Sequence, residues 1–217
     1  MALAIFDLDE TLIAGDSDHA WGEFISKLGL VDAEQYRKQN NLFYQQYLNG
    51  TLDVDAYLAF SCEPLTRIEL TTLKQLHQQF MLEIIEPLML PKASALINHH
   101  KNNHDELLII TATLDFITRP IAESLGITNI LAPEAELLDG RYTGRITGTP
   151  SFAGGKVTRL RQWLETRPIT LKDSTFYSDS HNDLPLLTLV DHPIAVDPDA
   201  RLEAIAKSNS WQIISLR

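Results

Sequence analysis

Five short apolar runs set the narrowest limit on what this chain can fold into. They are Ala2-Leu3-Ala4-Ile5-Phe6, Leu107-Leu108-Ile109-Ile110, Thr175-Phe176-Tyr177-Ser178, Pro193-Ile194-Ala195-Val196 and Trp211-Gln212-Ile213-Ile214-Ser215. Each is bounded by polar or turn residues and is too short for a helix of ordinary length, so each reads as a strand. The runs do not alternate between apolar and polar residues. Strands of that kind are buried on both faces, as in a parallel sheet covered by helices. Helical stripes lie between them: Phe116, Ile117, Ile121 and Leu125, closed by Gly126, and then Val157, Leu160, Trp163 and Leu164. Strand and helix alternate from about residue 88 to the end, which predicts an α/β fold with a Rossmann-like, doubly wound parallel sheet.

From Asp16 to Pro87 no strand pattern occurs. The apolar residues recur at helical spacing instead: Trp21, Phe24, Ile25 and Leu28; Tyr36, Phe43, Tyr44 and Tyr47; Leu70, Leu73, Leu76 and Phe80. Asn49-Gly50 ends one helix and Asp53 can cap the next. The sequence therefore predicts a core of residues 1–15 and 88–217, with a small all-helical cap domain over residues 16–87 inserted after the first strand. Asp139-Gly140, between Glu136-Leu137-Leu138 and Arg141-Tyr142-Thr143, predicts a β-hairpin flap. The stripe headed by Trp21 reads as cap core.

Composition narrows the function classes. The 217 residues carry 18 basic and 29 acidic side chains, a net charge of −11. No Lys or Arg cluster suited to a phosphate backbone appears, so nucleic acid is not an expected partner. No run approaches the ~20 apolar residues of a membrane span, and nothing resembles a signal peptide. Cys62 is the single cysteine, which excludes an internal disulfide and suits a reducing compartment. The expectation is a soluble, cytoplasmic protein without a membrane partner. Nothing in the sequence fixes an oligomeric state.

Chemistry-bearing residues gather where strands end. Asp7-Leu8-Asp9-Glu10-Thr11 follows the first apolar run, and Ser178-Asp179-Ser180-His181-Asn182-Asp183 follows the third. Ligands of open α/β sheets bind at the carboxyl ends of strands, and acids from two such ends can hold a hard cation such as Mg²⁺. Capping of the helix at Leu184-Pro185 is the alternative use of Asp183. Thr111-Ala112-Thr113 stands at a strand-to-helix turn, where a hydroxyl and backbone N–H groups either face a phosphate or cap the helix. Lys156, after Gly154-Gly155, sits at a helix start, where a cation opposes the helix dipole. His99, His100 and His104 fall where a helix ends, a favourable place for cations, though His100 and His104 also have the spacing of a metal-binding pair.

These four segments, in this order, resemble the haloacid dehalogenase superfamily of phosphatases. Asp7 and Asp9 match its first motif, Thr111 its second, Lys156 its third, and Asp179 with Asp183 its fourth. The resemblance covers the whole chain. It is nearest to the phosphoserine phosphatase-like branch, subfamily IB, with a helical C1-type cap. It implies a Mg²⁺-dependent phosphomonoesterase acting on a small organic phosphate ester through a phosphoaspartate. Asp7 is then the nucleophile and Asp9 the acid and base, while Thr111 and Lys156 hold the transferring oxygens. The metal set is Asp7, Asp9 (through its carbonyl) and Asp179, supported by Asp183. Asp16, Ala112 and Asn182 join Thr111 and Lys156 in binding substrate.

The pattern departs from phosphoserine phosphatases in three places. Asp16 stands where they carry Glu, Ala112-Thr113 where they usually have two glycines, and Asp55-Ala56-Tyr57-Leu58-Ala59-Phe60-Ser61 lacks their cap arginine; Arg67 lies further on. Among amino-acid and amino-alcohol phosphates, these departures point away from phosphoserine. They point toward cationic alcohols of the histidinol phosphate or phosphocholine type, which suit Asp16 and aromatic neighbours. Two alternatives share the same motifs: a phosphotransferase that uses a second alcohol instead of water, and a non-catalytic phospho-ligand binding protein. The presence of both Asp9 and Lys156 argues against the latter.

Overall fold

The computed structural model describes residues 2–217. Six parallel strands form the sheet, in the order β3-β2-β1-β6-β7-β8. They are β1 (Leu3–Phe6), β2 (Glu106–Ile110), β3 (Asn129–Leu131), β6 (Thr175–Ser178), β7 (His192–Val196) and β8 (Gln212–Ile214). All five apolar runs are strands within one or two residues of their expected ends. β3 is the sixth, and the sequence pattern did not signal it. β1 explains why the runs do not alternate. Leu3 and Ile5 pack with Leu108, Ile110 and Phe176 on one face, and Ala4 and Phe6 with Leu107 and Ile109 on the other. With helices on both faces, every position along the strand is a core position.

Five helices separate β1 from β2, and the first four are α1 (Ser17–Lys27), α2 (Ala33–Asn49), α3 (Val54–Arg67) and α4 (Leu70–Phe80). Asp16, Asp32 and Asp53 cap the first three, each accepting an N–H of the first turn. Gly50 closes α2 with φ +70°. Trp21, Phe24 and Ile25 are buried as expected, whereas Leu28, the last residue of that stripe, caps the end of α1 and is 43% exposed. The buried stripe does not form a separate core. The Trp21 ring meets Phe80 and Phe116 edge-on, so the helices and the sheet share one hydrophobic cluster.

A π-helical turn (Met81–Ile85) and a short 3₁₀ turn (Glu86–Leu88) lead into α5 (Pro91–Asn102) and β2. Beyond β2 come α6 (Asp115–Ser124), the flap, α7 (Gly154–Glu165), α8 (Leu184–Leu187) and α9 (Ala200–Ser208). The flap is the expected hairpin, β4 (Glu134–Leu138) paired antiparallel with β5 (Arg141–Thr147) around Asp139-Gly140. It leans on the helices after β1, with Arg141 ion-paired to Glu69 and Gly144 against Thr66. The register sets Phe6 level with both Ile109 and Tyr177. The residues that follow β1, β2 and β6 therefore emerge together.

Candidate active site

Asp7 leaves the end of β1 and donates its backbone N–H to Tyr177 O (2.9 Å), which ties it to β6. Lys156 reaches it from the first turn of α7. The Lys156 Nζ lies 3.0 Å from Asp7 Oδ1 and 2.8 Å from Asp183 Oδ2, with all three side chains buried. Gly155 makes that approach possible: a Cβ there would stand 2.1 Å from the Pro150 carbonyl oxygen. Asp183 also accepts from Ser178 Oγ (2.7 Å). Its carboxylate makes no hydrogen bond that caps α8, so the capping use of Asp183 gives way to holding Lys156.

Asp9 is fixed from both sides. Its Oδ1 accepts from the Ser17 N–H (2.7 Å), the first amide of α1, and its Oδ2 from Thr113 Oγ1 (2.9 Å). The helix N-terminus thus supplies a donor and a positive dipole end to the carboxylate. Asp179, at the end of β6, accepts from Thr11 Oγ1 at 2.9 Å. Thr111 Oγ1 accepts from the Thr113 N–H, shaping the turn after β2. Thr11, Thr113 and Ser178 were not among the expected site residues. Thr11 and Thr113 find their partners 168 and 104 positions away along the chain, and motif spacing says nothing about pairs that distant. Ser178 lies five residues from its partner Asp183, inside the same strand-end segment.

One cavity takes in Asp7, Asp9, Asp16, Thr111, Ala112, Lys156, Asp179, Asn182 and Asp183, every candidate that the sequence nominated. Its other wall belongs to the helices after β1 and includes Asp18, His19, Asn40, Tyr44, Tyr47 and Tyr57. Asn182 Nδ2 donates to the Tyr47 carbonyl at 3.0 Å, joining the strand-end loop to the last turn of α2. Arg201 Nη1 donates to Asn49 O (3.2 Å) beside it, and His181 is held by Asp199 through Nδ1 (2.7 Å). Arg67 is absent from the cavity lining; it pairs with Glu63 at the surface. His100 is buried between Asp105 and Tyr177, and His104 lies past the end of α5.

Burial dominates the electrostatics. It raises Asp7 to about 7, with Lys156 opposing and Asp183 adding to the rise. Asp9 is also raised to about 7, by burial and then by Asp16, against the donors Ser17 and Thr113. Asp16 and Asp18 reach about 7 as well, each first through burial; Asp18 raises Asp16 further, and the Tyr57 hydroxyl holds Asp18 down. Burial, then Asp7, pushes Asp179 well above the carboxylate range. Burial pulls the Lys156 ammonium down, but Asp183 and Asp7 together outweigh it and leave the group firmly charged.

A model of haloacid dehalogenase-like hydrolases matches residues 4–188. The chain belongs to this family. It is 49% identical over 219 residues to a histidinol-phosphatase of Neisseria meningitidis serogroup C, covering 99% of each protein. A crystal structure of a Bordetella pertussis Tohama I protein of unknown function superposes with a TM-score of 0.93 at 40% identity, covering 100% of this chain and 99% of that one. A substrate-bound phosphoserine phosphatase complex superposes at 0.72 with 18% identity, covering 100% and 93%, a likeness of fold. This haloacid dehalogenase-like protein is a phosphatase.

The residues of this phosphatase suit the divalent metal that its family resemblance implies. Lys156 pairs with Asp7 and Asp183, and a third carboxylate, Asp179, adds its charge to the same cavity. Asp7 raises Asp179, and Asp183 raises both, the mark of negative charge without enough positive charge nearby. Among the described residues, no three His, Cys, Asp or Glu side chains are placed to enclose an ion by themselves. Mg²⁺ does not require such a cage, since it takes one or two carboxylates and keeps several waters.

Proposed function

We propose that this phosphatase hydrolyses the phosphate monoester of a small amino alcohol, of the histidinol phosphate class, through a phosphoaspartate on Asp7. The carrying observation is the arrangement of Lys156 between Asp7 and Asp183, with Asp9 fixed by the first amide of α1 in the same cavity. An Asp7 carboxylate oxygen attacks phosphorus; the bond to the ester oxygen breaks, and the departing alkoxide takes the proton of Asp9. Asp9, now a carboxylate, then removes a proton from water as the water oxygen attacks phosphorus. The bond to Asp7 breaks, releasing inorganic phosphate and restoring both acids. An Asp9 raised to about 7 suits both steps, because neither protonation state is remote near neutral pH.

Lys156 and Thr111 hold the transferring oxygens, where charge develops. Asp7, Asp179 and the Asp9 carbonyl, with Asp183 in support, would hold Mg²⁺, which would supply positive charge to offset repulsion between carboxylate and phosphate. Residues 16–87 act as a cap over the core of 1–15 and 88–217, and the Asn182–Tyr47 and Arg201–Asn49 contacts hold it shut.

Two observations support an amino alcohol. The cavity wall carries Asp16 and Asp18 but no arginine for a substrate carboxylate, and a relative at 49% identity is a histidinol-phosphatase. Kinetics with histidinol phosphate, phosphoserine, ethanolamine phosphate and a sugar phosphate test the reading, with and without Mg²⁺. Histidinol phosphate should give the highest kcat/KM. Asp7→Asn should abolish turnover, and acid-quenched wild type should yield a phosphate adduct on the peptide containing Asp7. Preference for phosphoserine would defeat the substrate assignment, and turnover by Asp7→Asn would defeat the mechanism.

A further inference from the structure

Asn40 of α2 is polar, only 3% exposed, and lines the cavity. Its Nδ2 donates to the His19 main-chain oxygen at 3.3 Å and lies 3.2 Å from His19 Nδ1. A carbonyl oxygen can only accept, so the amide nitrogen of Asn40 is the end that faces His19. The Asn40 carbonyl oxygen accepts no hydrogen bond among the described residues. That oxygen is not sealed off inside the protein, so a donor that enters the cavity can reach it.

The approach of Asn40 is built into α1. A Cβ on Gly22 would stand 2.6 Å from Asn40 Nδ2 and 2.8 Å from Tyr36 Cε1, so only the bare backbone admits that side chain. Asp18 lies one helical turn before Gly22, on the same side of α1. It is 9% exposed and also lines the cavity, as do Asp16 and the rings of Tyr44 and Tyr57. This wall therefore offers two carboxylates, an unpartnered carbonyl and aromatic faces, a combination that receives N–H donors carrying positive charge.

We infer that Asp18 and Asn40 are specificity-determining residues that take a second basic nitrogen of the substrate alcohol, beside the first nitrogen at Asp16. The preferred esters are those of dibasic amino alcohols. The inference rests on the amino-alcohol reading above and adds the second nitrogen and the residues that select it.

The test compares kcat/KM for histidinol phosphate, ethanolamine phosphate and glycerol phosphate in wild type, Asp18→Asn and Asn40→Ala. Wild type should favour the dibasic over the monobasic ester by about tenfold or more, and Asp18→Asn should cut that ratio about tenfold through KM, the scale of one charged hydrogen bond. Asn40→Ala should cut it about threefold or more. Absence of the preference in wild type, or a ratio unchanged in both variants, overturns the inference; equal loss on all three esters counts as an unchanged ratio. Calorimetric titration with phosphate-free histidinol reads the same subsite without turnover, and both variants should bind it more weakly than wild type. If wild type hydrolyses no ester yet binds histidinol through these residues, the hydrolytic reading fails and the subsite stands. Equal binding by all three proteins sinks the subsite.

Discussion

Thr113 gives the most direct handle on the acid–base residue. Its hydroxyl donates to Asp9 Oδ2 and favours the ionised carboxylate, against the burial and the Asp16 charge that raise it. The other donor to Asp9 is the Ser17 main chain, which substitution leaves in place. Thr113→Val should therefore move the Asp9 pKa further up, by roughly half a unit to one unit. Asp9 must carry a proton to release the alcohol, so the alkaline limb of the kcat/KM profile should move up with it. An unmoved limb would remove Asp9 from that role. At Lys156 the expectation is a loss of rate. Lys156→Met should lower kcat by about 100-fold or more, the usual effect of removing one charge stabiliser from a transition state. A kcat within a few-fold of wild type would mean that the Lys156 contacts to Asp7 and Asp183 serve folding alone.

At the scale of the element, the start of α7 decides where Lys156 points. Gly154 and Gly155 are neighbours with opposite surroundings: a Cβ on Gly154 meets nothing within 4 Å, while one on Gly155 runs into the Pro150 carbonyl. Gly155→Ala should displace the first turn, lowering both the melting temperature and kcat. Gly154→Ala should leave kcat level and raise stability by up to ~1 kcal/mol. Equal behaviour of the two variants in thermal melts and steady-state assays would refute the argument. The same element shows what a sequence makes legible. A lysine against the helix dipole was visible, and so were the acids at the ends of β1 and β6, because strand ends and helix starts leave marks along the chain. β3 left none: Thr128-Asn129 separates Ile127 from Ile130-Leu131 and breaks the apolar run, whereas the equally short β8 lies inside the five-residue segment Trp211–Ser215. Asn40 was equally hidden, since its place depends on the bare backbone of Gly22 across an interhelical contact. Periodicity fixes which residues share a face of one helix and is silent about which residue of another helix meets it.

Across the whole molecule, the active-site charges should govern how stability depends on pH. Burial raises Asp7, Asp9, Asp16 and Asp18 to about 7 in the folded chain, whereas an unfolded Asp titrates near ~3.9. Between those values the folded state holds more protons than the unfolded state, so stability falls as pH rises through the window. That is the reverse of a salt-bridged aspartate, whose stabilisation is lost as pH falls. Urea unfolding of the metal-free protein should accordingly show lower stability at about pH 8 than at about pH 5. Mg²⁺ should restore stability at the higher pH by binding the folded state, and should do little at the lower pH, where its carboxylate ligands hold protons. Asp18→Asn isolates one contribution away from the metal. It should stabilise the metal-free protein by about 2 kcal/mol at the higher pH, a conservative share of the shift, and by about a third of that at the lower one, which lies about a third of the way up the window. A metal-free protein equally stable at both pH values, with Asp18→Asn indistinguishable from it, would show that the cavity carboxylates are solvated well enough to ionise freely. The charge deficit inferred around Lys156 would then lose its physical basis.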